Sequence, residues 1–285
     1  MGFISTKALV DAHEGGNTRY STWRKSPTQV TTVGTWFDLS MSPGNPVPQY
    51  YAAAPAISVQ LRQSTDGGLH HGGSVSPLTK HLRMTTCLTA TATALPMRML
   101  LLDYLLFYPF IDEGTTDEQI LVNSLPLPRW TDGKGVQIMA VSVASRTGGS
   151  SFFVTYTNSD GVAGRISKTV IQNTFTANGN IVTSQNNNAL AAGPFIPLQD
   201  GDSGVRLIES ITMLTPDVGL FTLVLVKPTA STSIRGNNAA VEMDYFLHQS
   251  ALPVIQDDAY LNFICLPQGS LAATAIHGDI TTVWG

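Results

Sequence analysis

From residue 126 to residue 285 the sequence breaks into short runs of strand length divided by Gly, Pro, Asn and Asp, and this punctuation points to a β-sheet fold. VQIMAVSVAS, SFFVTYTN, AGRISKTVI, VRLIESITML, AVEMDYFLH and YLNFICLP are runs of this kind, and TTVWG can close the chain. Asn158-Ser159-Asp160-Gly161 joins the second to the third, and its Asp-Gly pair suits a tight hairpin. In VRLIESITML, Val205, Leu207, Ile211 and Met213 share one face and Glu209 breaks the pattern. GLFTLVLVKP is apolar throughout, the mark of a central strand covered on both faces. Composition agrees, since 32 threonines stand against 5 glutamates and 6 lysines, a surplus of a β-branched residue over straight-chain helix formers. About seven or eight strands at this spacing predict an antiparallel β-sandwich or jelly roll over residues 126–285.

The rest of the chain reads differently. Residues 1–50 are rich in Thr, Ser, Gly and Pro and lack a hydrophobic period, which predicts an extended N-terminal arm. Its Trp23, Trp36, Phe37 and Tyr50, with Tyr51 beside them, need burial against some larger surface. Residues 51–125 read as β-strands plus a short buried helix. AISVQLR places Ile57, Val59 and Leu61 on one face, and MTTCLTATATAL is a weaker strand. PMRMLLLDYLLFYPFID predicts a helix, with Pro96 in its first turn and Pro109 ending it. TTDEQILVNS predicts a second, with Thr116 as N-cap and Gln119 as its capping-box partner. The whole is expected to be mainly β, with one or two short helices.

Charge and cysteine content narrow the function classes. Charged residues are 13% of the chain, the net charge is −4 and the pI is near 5.8, a poor basis for neutralising phosphates, so nucleic acid is not expected as a partner. The longest apolar run, Met99 to Phe107, is interrupted by Asp103 and far shorter than a membrane span, and no export signal is read at the N terminus. MGFIST fits the short N-myristoylation pattern through Gly2 and Thr6. Cys87 and Cys265 stand alone, giving neither a disulfide framework nor a metal clip; a reducing compartment is expected, with a single bridge between the two as the alternative.

The motif closest to catalysis is Gly201-Asp202-Ser203-Gly204, the setting of the nucleophile in chymotrypsin-like proteases. His13, His70, His71 and His81 lie upstream, but none has that family's surroundings, and Val205 and Arg206 replace the glycine and proline that should follow. The motif therefore reads as a polar turn, and Ser203 is not expected to be a nucleophile. Asp200 and Asp202 have the spacing of a calcium loop, but Val205 and Ile211 occupy the positions where glycine and glutamate are needed. His70 and His71, with His81 ten residues on, are expected as an exposed loop pair without zinc partners. Asp103 is expected to find a backbone donor or an arginine, Arg98 or Arg129. The pairs Asp112-Glu113, Asp117-Glu118 and Asp257-Asp258 read as caps and solvated surface. No catalytic, metal or cofactor residue is assigned.

DYLLFYPFID, PLPRWTDGKGVQIMAV, FFVTYTNSDGVAGR and GDSGVRLIESITM together resemble virion structural proteins of tailed bacteriophages, over roughly residues 100–225. The resemblance implies a β-rich, homo-oligomeric structural protein and no enzyme. The chain is short and helix-poor for the usual major capsid fold, which points to a capsid decoration, cement or minor head protein. It would be made in the host cytoplasm, assemble with itself, as a trimer, and bind the major capsid protein through the N-terminal arm. The alternative is a receptor- or carbohydrate-binding module of a tail or fibre, stacking sugars on exposed Trp and Tyr. A β-rich serine hydrolase is the third reading.

Overall fold

The computed structural model describes residues 3, 5–184, 193–249 and 251–285. The chain runs through α1 (Thr6–Glu14), β1 (Thr18–Lys25), β2 (Phe37–Asp38), a 3-10 turn (Leu39–Met41), β3 (Gly44–Asn45), β4 (Val59–Gln60) and α2 (Gln63–Asp66). Next come β5 (Lys80–Thr89), β6 (Met97–Asp112), β7 (Gln119–Ile120), β8 (Gln137–Ser142), β9 (Ser151–Asn158), β10 (Arg165–Ile166) and β11 (Val170–Ile171). The last part holds β12 (Val205–Met213), β13 (Leu220–Ile234), β14 (Val241–Asp244), α3 (Tyr245–His248), β15 (Val254–Ile255), β16 (Tyr260–Leu266) and β17 (Ile276–Trp284). The fold is mainly β, with three antiparallel sheets in a sandwich-like arrangement. Among the described residues no helix is long and apolar enough to cross a membrane.

The central sheet has the order β2-β16-β6-β13-β8, with β4 also on β6. Its two long strands, β6 and β13, run antiparallel for most of their length. On one face, Met97, Met99 and Leu101 of β6 pack with Phe263 of β16 against Trp23, Leu82, Cys87 and Ile280 of a second sheet, the terminal sheet, ordered β14-β5-β17-β1-β3. Farther along β6, Leu105, Leu106 and Tyr108 pack instead against Val154, Tyr156 and Ile211 of the third sheet, ordered β10-β9-β12-β7. The opposite face holds Tyr104, Phe107, Val224 and Tyr260 and is covered by Trp36, Tyr51, Leu61 and Ile181.

This double coverage explains why the helix expected over Pro96–Pro109 is a strand. A strand buried on both faces loses the period-2 alternation that identifies strands, and a run rich in Leu and Met then reads as a helix apolar on every side. Pro109 does not end it. The β6–β13 register shifts between Phe221 and Leu223, and the bulge there accommodates Pro109 and Phe110, whose φ is 56°. The second expected helix is also absent: Gln119 belongs to β7, and its side-chain amide pairs with the backbone N–H and C=O of Asp112 rather than capping a helix. Glu209, the exception in β12, is the extra residue of a bulge between Ile208 and Ser210, where it accepts hydrogen bonds from Thr157 Oγ1 and Gly164 N. A second shift between Val205 and Leu207 puts Ile208, not Leu207, in the core.

Residues 5–50 are tied into the body of the protein. Ser5 caps α1, and β1 lies inside the terminal sheet between β17 and β3, paired along its whole length with β17. Trp23, Trp36, Phe37 and Tyr51 are buried within this same chain, and only Tyr50 of the five aromatics is exposed. Their burial partners are far away in sequence, so no local period announces them. Gly2 of the myristoylation pattern lies outside the described residues, and Thr6 opens α1.

Candidate functional site

The GDSG segment is built as a structural turn. Asp202 accepts hydrogen bonds from Tyr156 OH (2.6 Å), Asn158 Nδ2 (2.7 Å) and Arg165 Nε (3.0 Å), and so clamps the β9–β10 hairpin. Burial works against its charge, but these donors outweigh it and hold the carboxyl at about 2. Ser203 Oγ lies 2.9 Å from Ser159 Oγ, and no hydrogen bond joins it to a histidine among the described residues. Gly204 is required by close packing, since a Cβ there would stand 2.0 Å from the Gly133 carbonyl oxygen. Asp200 pairs instead with Lys168 at the surface.

The histidines are kept apart. His70 is exposed, but His71 is fully buried, contrary to the expected exposed pair, because its ring bridges two segments. Lys80 Nζ donates to His71 Nδ1 (3.1 Å) and to the Gly73 carbonyl (2.7 Å), which leaves His71 Nε2–H to donate to the Ala259 carbonyl (2.9 Å). His81 packs against Phe3 with the two rings tilted by 45° and faces the Leu252 carbonyl. Cys87 and Cys265 are buried and free, and burial raises both thiols. Glu113, expected at the surface, is buried beside Arg146.

Burial, helped by the Lys80 charge, lowers His71 from 6.5 to about 4. The unfolded chain therefore takes up a proton as pH falls through 6.5 while the folded ring refuses it, and the stability His71 contributes is lost between pH 6.5 and about 4. Glu113, raised by burial to about 7, acts in the opposite sense: its folded carboxyl stays protonated where the unfolded one has ionised. Comparison with His71→Gln separates the two. The variant is expected to be less stable at about pH 7.5, and the gap should narrow by about 2 kcal/mol at about pH 5, read by urea unfolding. An unchanged gap would contradict the assignment.

A groove opens between the loop of residues 28–35 and the turn of residues 174–180. Its cavity of about 490 Å³ is lined by Thr28, Gln29, Val30, Thr31, Thr32, Thr35, Phe37, Thr174, Phe175, Thr176, Ala177 and Asn180. A smaller one of about 140 Å³ shares Thr28, Gln29 and Phe37 and extends to Ser42, Tyr50 and Asn178. Neither lining includes a charged residue. The walls are fixed from behind. Asn173 and Asn180, both buried, bond to each other and to the Phe175, Ile181 and Ser184 carbonyls, holding the turn. Gly179, at φ 91°, lies so close to Phe37 that a Cβ would meet the ring at 2.7 Å. Thr31 Oγ1 donates to the Gly269 carbonyl and accepts from Leu271 N, anchoring the loop. Residues 38–46 are held by two buried charges. Asp38 accepts from Tyr51, Tyr104 and Ser40, and Lys25, lowered by burial to about 8, donates to the carbonyls of Ser40, Ser42 and Pro46. Sequence reasoning missed this groove, because its threonines lie in two segments some 140 residues apart.

The terminal sheet has one open face. Register places Trp23, Gly278 and Cys87 inward and Thr22, Asp279, Thr86 and Glu242 outward in neighbouring rows. Leu9 and Ala12 of α1 cover the end near Val283, Phe246 of α3 lies against Arg83 of β5, and Thr281, paired with Tyr20, is itself only 3% exposed. Tyr20, in the next outward row, is 69% exposed. Trp23 and Trp36 are buried and Trp130 and Trp284 half-buried, whereas Tyr20 and Tyr50 are exposed, so of the Trp and Tyr surfaces expected of a sugar-stacking module only tyrosines stand exposed among the described residues.

No family model and no curated protein matches the chain. Among solved structures it is similar to infectious bursal disease virus of the Gt strain, at 10% identity over 94% of this chain and 80% of that one, with a TM-score of 0.17. It is similar also to the derived T=1 particles of that virus, at 12% identity over 93% and 77%, with a TM-score of 0.16. A likeness at these scores carries no inference about this chain.

Proposed function

We propose that the protein is a structural component of a phage virion, a decoration, cement or minor head protein that binds the capsid shell and stabilises it. The observation that carries this reading is the open face of the terminal sheet, a broad, pleated surface of Thr22, Thr86 and Tyr20 with Met84 and Leu88 half-buried beside them. Arg24 and Asp279 put opposite charges on it, so no like-charged field opposes a second protein surface. The resemblance to tailed-phage virion proteins supports the same role. Its partners are further copies of itself, assembled as a trimer, and the major capsid protein, and its place is the virion. It has no enzymatic role, and Ser203 serves the turn.

The attachment surface is this face, to which residues 1–50 contribute through β1, rather than a free arm. Tyr20→Lys and Thr22→Lys change exposed side chains only and are expected to leave the fold intact by circular dichroism. Together they should abolish self-association by sizing and weaken cosedimentation with capsid shells by tenfold or more, as for loss of a central contact worth roughly 1.4 kcal/mol or more. Shell binding equal to that of the unaltered chain would exclude this face.

A further inference from the structure

We propose that the open edge of β1 takes up the edge strand β14 of a second copy of this chain, so that the terminal sheet continues from one subunit into the next. The inference rests on the self-association proposed above and names the strands that make it. β1 pairs along its whole length with β17, but on its other side β3 pairs only with Arg24 and Lys25. Two bonds at its ends fix which backbone groups point where. Trp284 N donates to the Asn17 carbonyl, and Ser26 N donates to the Pro43 carbonyl. Antiparallel pairing alternates from residue to residue, so Arg19, Ser21 and Trp23 turn their N–H and C=O toward β17, while Thr18, Tyr20 and Thr22 turn theirs outward, on the side of β3. There these groups meet no partner among the described residues.

An open edge of this kind is a template for another strand, and proteins usually blunt it. The other edges among the described residues are short or protected. β2, β7, β10 and β11 have two residues each, and β8 is covered by bonds from Val182 N and Ile196 N. The free stretch of β13 carries Pro228, a register shift and the Tyr245 hydroxyl on its Ser231 carbonyl. β1 from Thr18 to Trp23 has no proline, no lysine and no register shift, and Arg19, Tyr20 and Thr22 are exposed. Direction and charge select the occupant. Each neighbouring pair in the order β14-β5-β17-β1 is antiparallel, so β14 runs opposite to β1, and a second copy's β14 laid beside β1 continues the pattern with the same face outward. Arg24 on β1 and Glu242 on β14 are exposed, and neither has an ion-pair partner among the described residues. β1 itself holds Arg19, Arg24 and Lys25 and no carboxylate, which disfavours pairing with its own counterpart. The contact is head-to-tail, and closed as a ring it gives the trimer.

Thr22→Cys and Glu242→Cys, made separately with the buried Cys87 and Cys265 left in place, are mixed and treated with a short bismaleimide. Crosslinks are expected in the mixture and in neither variant alone, and a chain carrying both substitutions should crosslink up to the trimer. Thr22→Pro removes an N–H that serves no bond within the chain, so it should keep the native circular dichroism and weaken self-association about tenfold or more. Ser21→Pro removes one that faces Ile280 and should lower the melting temperature. Glu242→Arg should weaken association about fivefold, and Arg24→Glu added to it should restore it. Crosslinking of Thr22→Cys alone, which reports β1 against β1, or a mixture that oligomerises without crosslinks would overturn the proposal. Cosedimentation with shells is read separately. Crosslinking without shell binding supports this inference and counts against the capsid-binding role, and shell binding without crosslinking does the reverse.

Discussion

Removal of residues 1–45 is expected to leave no folded protein. The deletion takes out β1, which fills the space between β17 and β3 and pairs with eight residues of the last strand. It also removes Trp23, Trp36, Phe37 and Leu39 from two cores. Emptying one buried large apolar site costs about 3–5 kcal/mol, and the total stability of a domain is about 5–15 kcal/mol, so the loss exceeds what the fold can bear. Lost with them are Asp38, to which Tyr51 and Tyr104 donate, and Lys25, which holds the 40–46 loop. Soluble yield, near-ultraviolet circular dichroism and sizing read the outcome: aggregated or unfolded chain is expected. A monodisperse truncated protein with native dichroism would show that the N-terminal stretch is a detachable arm after all.

Arg129→Met is expected to destabilise the protein by about 3–5 kcal/mol, the cost of leaving a buried charge without its partner. Asp103 lies on β6 between Leu101, which belongs to one core, and Leu105, which belongs to the other. There Arg129 grips both carboxylate oxygens, through Nη2 at 2.7 Å and Nε at 3.1 Å, and Trp130 Nε1 adds a third donor at 3.0 Å. Arg129 Nη2 also reaches the Leu61 and Tyr104 carbonyls, tying the segment after Pro126 to the opposite side of the central sheet. Asp103→Asn added to Arg129→Met should restore a measurable part of the loss, since the uncompensated charge is then gone. Urea unfolding of the single and double variants checks both statements, and a double variant no more stable than Arg129→Met would refute the second.

What could be read from the sequence depended on whether each segment is covered on one face or on two. β9 and β12 have one polar side; the alternation of β9, the Asp-Gly turn from β9 to β10 and the misfit of Glu209 were legible, but the shift after Val205 that puts Ile208 in the core in place of Leu207 was not. β13 was legible as a doubly buried strand, yet its partner β6, buried in the same way, read as a helix because Leu and Met favour one and Pro96 and Pro109 frame one. Pairing with β13 decided the matter, and that lies in tertiary structure. Asp103 with Arg129 was foreseen as one of several pairs. The burial of His71 and Glu113 was not, since Lys80, at the start of β5, and Arg146, between β8 and β9, meet them through tertiary contacts that no local pattern encodes. The groove was invisible for the same reason: single threonines carry no signal until two loops bring them together.

The proposed role stands or falls on where the protein sits. Electron cryomicroscopy of phage particles assembled with and without the chain tests this directly. The account predicts added density at symmetry-related positions on the head, into which the three-sheet fold fits with the open face of the terminal sheet, around Tyr20 and Thr22, turned toward the shell or a sister copy. Identical maps from the two preparations would contradict it.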